Sequence, residues 1–177
     1  EISFSRFWDE DQHSNFVSLK FGAQKSNLFN KNITLTAEYT RTNPITFRHF
    51  VNTTTYASNG YNLGHYLRDN AQELAFELNV KPIARLRLAA SYIIAQKGRV
   101  YDYTGTSTDV WGLDFLTEKR WESNNINLSA AYELFNDVRF SLSYSYQNNS
   151  GEDVLLYHPT YFQGETNTFS IATNIGF

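Results

Sequence analysis

Residues 126–147, INLSAAYELFNDVRFSLSYSYQ, alternate with a period of two on both sides of a break at FNDV. Ile126, Leu128, Ala130, Tyr132 and Leu134 share one parity, against Asn127, Ser129, Ala131 and Glu133 on the other. Beyond Asn136-Asp137 the rhythm returns, with Val138, Phe140, Leu142, Tyr144 and Tyr146 opposite Arg139, Ser141, Ser143, Ser145 and Gln147. Successive side chains of a strand point to opposite faces, so this period is that of a strand with one apolar and one polar side. Asn-Asp between two such runs is turn chemistry. The stretch predicts an antiparallel hairpin.

Working outward, the same pattern predicts six more strands, several near the 9–11 residues that a tilted strand needs to cross a bilayer. They are Ile2 to Trp8, Phe16 to Ala23, Asn32 to Arg41, Glu73 to Val80, Arg85 to Gln96, and the last ten residues, TFSIATNIGF. In NAQELAFELNV the residues are good helix formers, yet Leu74, Phe76, Leu78 and Val80 lie two apart, which favours strand over helix. The chain stops on Phe177 in mid-alternation, and a terminus that does not fray is one held between neighbours.

The 177 residues, 41% hydrophobic and 16% aromatic with a net charge of −3, fit one domain spanning 1–177. Cysteine and methionine are absent, which excludes disulfides, thiolate metal sites and a cysteine nucleophile, and is compatible with a bacterial envelope protein. No basic stripe supports a nucleic-acid partner. No run of eighteen apolar residues supplies a spanning helix. Because Glu1 opens directly on the strand-like EISFSRFW, the chain is expected to be either a processed mature protein or the C-terminal part of a longer one, with the second favoured.

Connections alternate as the residues do. NVKPIARL and FNDV are short turns, whereas about 42–71, 97–120 and 148–165 are long, so the long loops share one end of the sheet. The polar parity carries Ser, Thr, Ala and Asn with single charges (Lys20, Glu38, Glu77, Arg87, Glu133, Arg139), which suits a crowded interior better than a solvated surface. Tyr39, Tyr92, Tyr144 and Tyr146 recur toward the long-loop ends, where an aromatic girdle would meet lipid headgroups. The expected fold is all-β: an antiparallel transmembrane outer-membrane β-barrel with about eight strands in this chain.

The terminal Phe177 resembles the C-terminal signature by which the barrel-assembly machinery recognises outer-membrane proteins, and would carry that signal. The stretch EYTRTNPITFRHFVNTTTYASNGYNLGHYLRDNAQEL, residues 38–74, continues into NVKPIARLRLAASYIIAQKG. Through Glu38-Tyr39-Thr40-Arg41, Asn43-Pro44, His49, Tyr61-x-Leu63-Gly64-His65, Asp69-Asn70 and Lys97-Gly98 it resembles the C-terminal half of the Wzi-type capsule assembly family, outer-membrane barrels that hold capsular polysaccharide at the cell surface. The resemblance implies a bacterial outer-membrane location, a larger barrel than these strands alone, and partners among outer-membrane lipid, other envelope proteins and acidic polysaccharide.

The residues agree with a sugar-holding surface. Tyr56, Tyr61 and Tyr66 offer flat faces, and Arg41, Arg48, His49, His65, Arg68 and Asn70 offer donors for hydroxyls or uronate carboxylates. Tyr101, Asp102, Tyr103, Trp111 and Asp114 extend the surface. The candidate polysaccharide-binding set is Arg41, Arg48, His49, Tyr61, His65, Arg68 and Trp111. The plainer alternative is that these side chains pack the loops on one another. A porin, or a barrel subunit of a transport or secretion assembly, is the competing function, since a mixed-charge inner face needs no specific ligand. No nucleophile motif accompanies His13, His49, His65 or His158, so no enzyme is expected. Asp9-Glu10-Asp11 lacks calcium-loop spacing and His49 with His65 lacks zinc spacing, so neither metal nor cofactor is expected.

Overall fold

The computed structural model describes residues 17–48, 53, 55–59, 61–101 and 113–176. The protein is mostly antiparallel β-sheet. Seven strands form one sheet: β1 (Ser18–Lys25), β2 (Ile33–Thr42), β5 (Ala71–Ile83), β6 (Leu86–Gly98), β7 (Lys119–Phe135), β8 (Val138–Ser150) and β9 (Gly164–Ile175), hydrogen-bonded in that order. Every neighbouring pair is antiparallel. A small ribbon, β3 (Ala57–Ser58) with β4 (Tyr61–Asn62), sits in the loop between β2 and β5. One helical turn, α1 (Val154–Tyr157), lies between β8 and β9. The expected strand over Ile2 to Trp8, and Phe177, fall outside the described residues.

Period-two alternation determined the strands it reached, including β5, where the spacing of Leu74, Phe76, Leu78 and Val80 overrode good helix formers. β5 and β6 are joined through Ala84 and Arg85, and β7 and β8 through Asn136 and Asp137, with Asp137 at φ 70. Asp tolerates that left-handed conformation better than most residues, which is why it can close so tight a turn. The long connections, 43–70, 99–118 and 151–163, all leave the opposite end.

The registers align side chains into rows across the sheet. One face carries Gly22, Glu38, Ala75, Ile93, Asn125, Gln147 and Thr166 in one row, then Gln24, Thr36, Glu77, Ser91, Asn127, Ser145 and Thr168 in the next. Ser145 Oγ donates to Asn127 Oδ1 (2.8 Å) and Asn127 Nδ2 to Ser91 Oγ (3.2 Å), so this polar face is cross-linked by its own side chains. The other face carries Leu35, Leu78, Ala90, Leu128, Tyr144 and Phe169, then Ile33, Val80, Leu88, Ala130, Leu142 and Ile171.

Nothing described covers that apolar face. Leu128 and Leu142, on strands inside the sheet, keep 46% and 54% of their surface, and Ile171 on β9 keeps 82%. A soluble sheet packs its apolar side on a second layer and turns its polar side to water. Here the covered surface is the loop end of the polar face, where Ile45, Leu67, Ala71, Ala95 and Trp121 are buried together with Thr42, Asn70, Lys97, Ser123 and Asn149.

Candidate functional site

Loop 43–70 folds back onto the polar face through a set of polar fasteners. Lys97, nearly buried on β6, directs its ammonium at two backbone carbonyls of the loop, those of Leu67 and Asp69 (2.7 Å for the latter). Thr42 Oγ1 donates to the Arg68 carbonyl at 2.6 Å. Asn70 is fully buried at φ 52; its Nδ2 donates to the Arg99 carbonyl (2.9 Å) and its Oδ1 accepts from the Leu116 amide (3.0 Å), so one side chain joins two loops. Gly98 lies directly under it, and a Cβ there would overlap the Asn70 amide. Asp69 accepts from the Phe47 amide (2.7 Å) and pairs with Arg48 (3.3 Å). Burial raises the Asp69 carboxyl above its usual range, and the Phe47 amide and Arg48 oppose that rise.

Several residues singled out in the sequence therefore do meet, but mainly as fasteners. Arg48 spends its guanidinium on Asp69 and on the Tyr101 carbonyl (2.8 Å). His65 lies 3.8 Å from Glu73 and against the Tyr66 ring, with centroids 4.7 Å apart. Burial lowers the His65 pKa, and Glu73 pulls it back up. Tyr66 donates a hydrogen bond to Glu73; burial and that bond raise its phenol well above the usual value. Tyr61, on β4, is exposed. Arg68 is exposed at φ 62. Arg41 stands apart, in register with Gln72, Gln96 and Glu122 on the apolar-face parity, where its guanidinium covers the Phe115 ring at 3.9 Å. His49, Trp111 and Phe177 lie outside the described residues.

Arg41's row closes the apolar band at the loop end. Tyr39 Oη donates to Gln72 Oε1 (3.2 Å), Gln72 Nε2 to Gln96 Oε1 (2.7 Å) and Gln96 Nε2 to Glu122 Oε2 (3.0 Å). A continuous side-chain ladder thus crosses four strands where the apolar rows stop.

On the polar face, a half-open cleft of about 400 Å³ separates α1 from the head of β7. Tyr66, Arg68 and Lys97 line it together with Trp121, Asn125, Tyr157 and His158. His158 stacks on Trp121 (centroids 5.6 Å, planes 15° apart), and Tyr157 tilts against the same indole at 5.7 Å. Burial lowers the His158 pKa, favouring neutral imidazole, and raises the Tyr157 phenol. Three buried polar atoms here have no hydrogen-bond partner: Trp121 Nε1, Asn125 Oδ1 and His158 Nε2. Among the described residues no group of three or more His, Asp or Glu side chains is placed to hold a metal ion.

Sequence reasoning passed over Trp121, Asn125 and Tyr157 and treated His158 only as one histidine of four. One signal was available: Trp121 shares the parity of Ser123, Asn125 and Asn127, an odd place for a tryptophan. Comparison with known protein families, with characterised proteins and with solved structures finds no match to this chain.

Proposed function

We propose that this chain is part of a bacterial outer-membrane β-barrel of the Wzi-like capsule-assembly kind, with its apolar face on lipid and its loop end holding acidic surface polysaccharide. The observation that carries the reading is the uncovered apolar face bounded by a polar ladder. From Leu74 to Ile83 along β5 is roughly 30 Å at ~3.3 Å per residue; tilted by about 40°, that gives a band near the ~25 Å of a transmembrane barrel. Loops folded onto the polar face then lie over the mouth of a lumen, and Arg68 is an exposed cation among the residues they present.

The natural absence of cysteine makes a direct test possible. Leu142→Cys and Ser143→Cys are adjacent in sequence but opposite in parity. In the lipid-reconstituted protein, a label at position 142 should be quenched by lipid-borne quenchers and shielded from aqueous thiol reagents, and a label at 143 should not be quenched. Equal aqueous access at both positions would defeat the membrane assignment. For the polysaccharide half, Arg68→Ala should lower affinity for polygalacturonate about fivefold without affecting insertion, the size expected of one partly exposed charge-assisted contact.

A pore is the second reading, favoured by mixed charge on the polar face, where Lys20 pairs with Glu38 at 3.0 Å among Ser, Thr and Asn. Planar-bilayer conductance that polygalacturonate leaves unchanged would favour the pore over the polysaccharide role.

A further inference from the structure

The short-turn end of the sheet carries charge that the loop end does not explain. Among the described residues, lysine and arginine form their ion pairs toward the loops, from Lys20 with Glu38 to Arg120 with Glu152. At the other end stand Lys25, Lys31, Lys81, Arg85, Arg87 and Arg139 against Glu133 and Asp137, and none of these cations is in an ion pair among the described residues. Arg85 gives its guanidinium to the Leu134 carbonyl (2.8 Å), and Arg139 faces Glu133 across β8 and β7. Lys81 and Arg87 face each other instead.

A bulge sets them there. Between the pairs Val80–Leu88 and Ile83–Leu86 the ladder of β5 with β6 slips by one residue, so Lys81 and Pro82 together stand opposite Arg87. Pro82 has no N–H for the ladder, and the Lys81 N–H turns to the Asn32 carbonyl (2.8 Å), just before β2. Like charges opposite one another on a sheet repel, and no carboxylate relieves this pair. Both side chains line an open cleft of about 330 Å³ with Asn27, Asn32, Thr34 and Asn79. Thr34 and Asn79 are register partners on the polar face, so the cleft opens on the side away from the apolar rows. Glu77, earlier on β5, accepts from Asn79 Nδ2 (2.7 Å) and is engaged there rather than with either cation.

Two cations rimmed by amides and a hydroxyl suit an anion. A carboxylate brings one charge and two oxygens. A phosphate monoester brings nearly two charges at neutral pH and three terminal oxygens, enough to meet the Arg87 fork on one edge and the Lys81 ammonium on another while a neutral donor reaches the third. Sugar hydroxyls alone leave both charges unanswered.

We propose that this cleft is a site for a phosphate group, held between Lys81 and Arg87 and carried by a soluble molecule, inorganic phosphate or a phosphomonoester. The site goes beyond the polysaccharide reading and stands whatever the loop end holds. The choice of a soluble source over a lipid headgroup follows from the cleft opening on the polar face, and it alone rests on the lipid assignment of the other face.

The test uses the full chain in phosphatidylcholine nanodiscs with 15N-labelled arginine, in phosphate-free buffer. The Arg87 Nε–H signal is assigned by its loss in Arg87→Lys, and that of Arg139 by its loss in Arg139→Lys. Inorganic phosphate, glycerol phosphate and galacturonate are titrated separately, and phosphatidate is built into the bilayer of a further sample. Both soluble phosphates should shift the Arg87 signal saturably, with Kd on the order of millimolar, and leave Arg139 nearly still. Galacturonate should bind about tenfold more weakly. Lys81→Ala should weaken phosphate about fivefold, and added salt should weaken it further. An Arg87 signal that soluble phosphate does not move overturns the site. Equal shifts at Arg87 and Arg139 do so too, because they report a diffuse field rather than a cleft. Unchanged affinity in Lys81→Ala has the same force. Phosphatidate that moves Arg87 as strongly as soluble phosphate overturns the soluble source. Phosphate binding at Arg87 in a chain whose Leu142→Cys label proves open to water leaves the site standing and removes the membrane reading.

Discussion

The middle of the sheet and its loop end are built from the same strands under opposite rules. At mid-height the sheet is one layer thick, and Leu128, Leu142 and Ile171 stand uncovered while Ser and Asn side chains bond across the other face. At the loop end, Thr42, Asn70, Lys97 and Asn149 are all buried, and each is tied to loop backbone or a neighbouring strand. The two regions differ in what drives burial. Below, apolar area awaits a covering medium; above, burial follows polar groups that find partners, because a buried polar atom without one is costly. A protein that hides polarity and bares its aliphatic side chains inverts the water-soluble plan, and under the lipid reading the hydrocarbon supplies the missing layer.

The largest expected break is Leu142→Arg. Leu142 is aligned with Ala130 and Ile171 in the lower apolar rows. Under the lipid reading, an arginine there should cost about 2–4 kcal/mol near the bilayer midplane and block assembly, read as loss of the heat-modifiable folded band in outer-membrane fractions. Ser143→Arg, one residue on, faces Ser129 and Ser170 and should be tolerated. Equal tolerance at both positions would erase the distinction between the faces.

Removing Asn70 attacks the upper region alone. Its φ of 52 makes glycine the clean replacement, since alanine would add backbone strain to the lost hydrogen bonds. Asn70→Gly strips the Leu116 amide and the Arg99 carbonyl of their partner and should destabilise the docked loops by about 2–3 kcal/mol. Protease should then cut within 43–70 sooner, with membrane insertion unchanged. Loss of insertion as well would make the loop fasteners and the apolar band one cooperative unit.

These contrasts also mark what could be read from the residues in order. Strands were legible wherever the apolar parity stayed apolar. β7, however, begins at Lys119, well before the alternation at Ile126, because its first stretch, KRWESNN, lies above the band, where Glu122 replaces an aliphatic residue on the apolar-face parity. The backbone ladder continues there after the hydrophobic signal has stopped. For the same reason Arg41 could not be separated from Arg48 and Arg68: parity assigns it to the other face, but only the register with Gln72 and Gln96 reveals the polar row it belongs to. Asp69, Asn70, Lys97 and Gly98 stood out individually, yet their fastening role depends on a loop folding back. Trp121, Asn125 and His158 meet only because α1 returns over β7, and no local pattern announces that return.

The smallest expected effect concerns that return. His158 is stacked on Trp121, and burial lowers its pKa. The folded state thus favours neutral imidazole, while the unfolded segment takes up a proton at the ordinary value, so acidification adds protons to the unfolded side first. Docking of 151–163 should be strongest above the ordinary imidazole value, weaken as pH falls through the interval down to the lowered folded pKa, and level off below it. The Tyr157 phenol, shifted upward, stays protonated throughout and leaves the slope unchanged. Amide exchange at Gln163, whose N–H bonds the Thr160 carbonyl, should therefore slow less than base-catalysed chemistry alone dictates as pH falls below the ordinary imidazole value. His158→Gln should flatten that excess, because glutamine fills similar space without titrating. An undiminished slope in that variant would shift the proton to His65, whose own lowered pKa is opposed by Glu73 and whose loop is fastened separately.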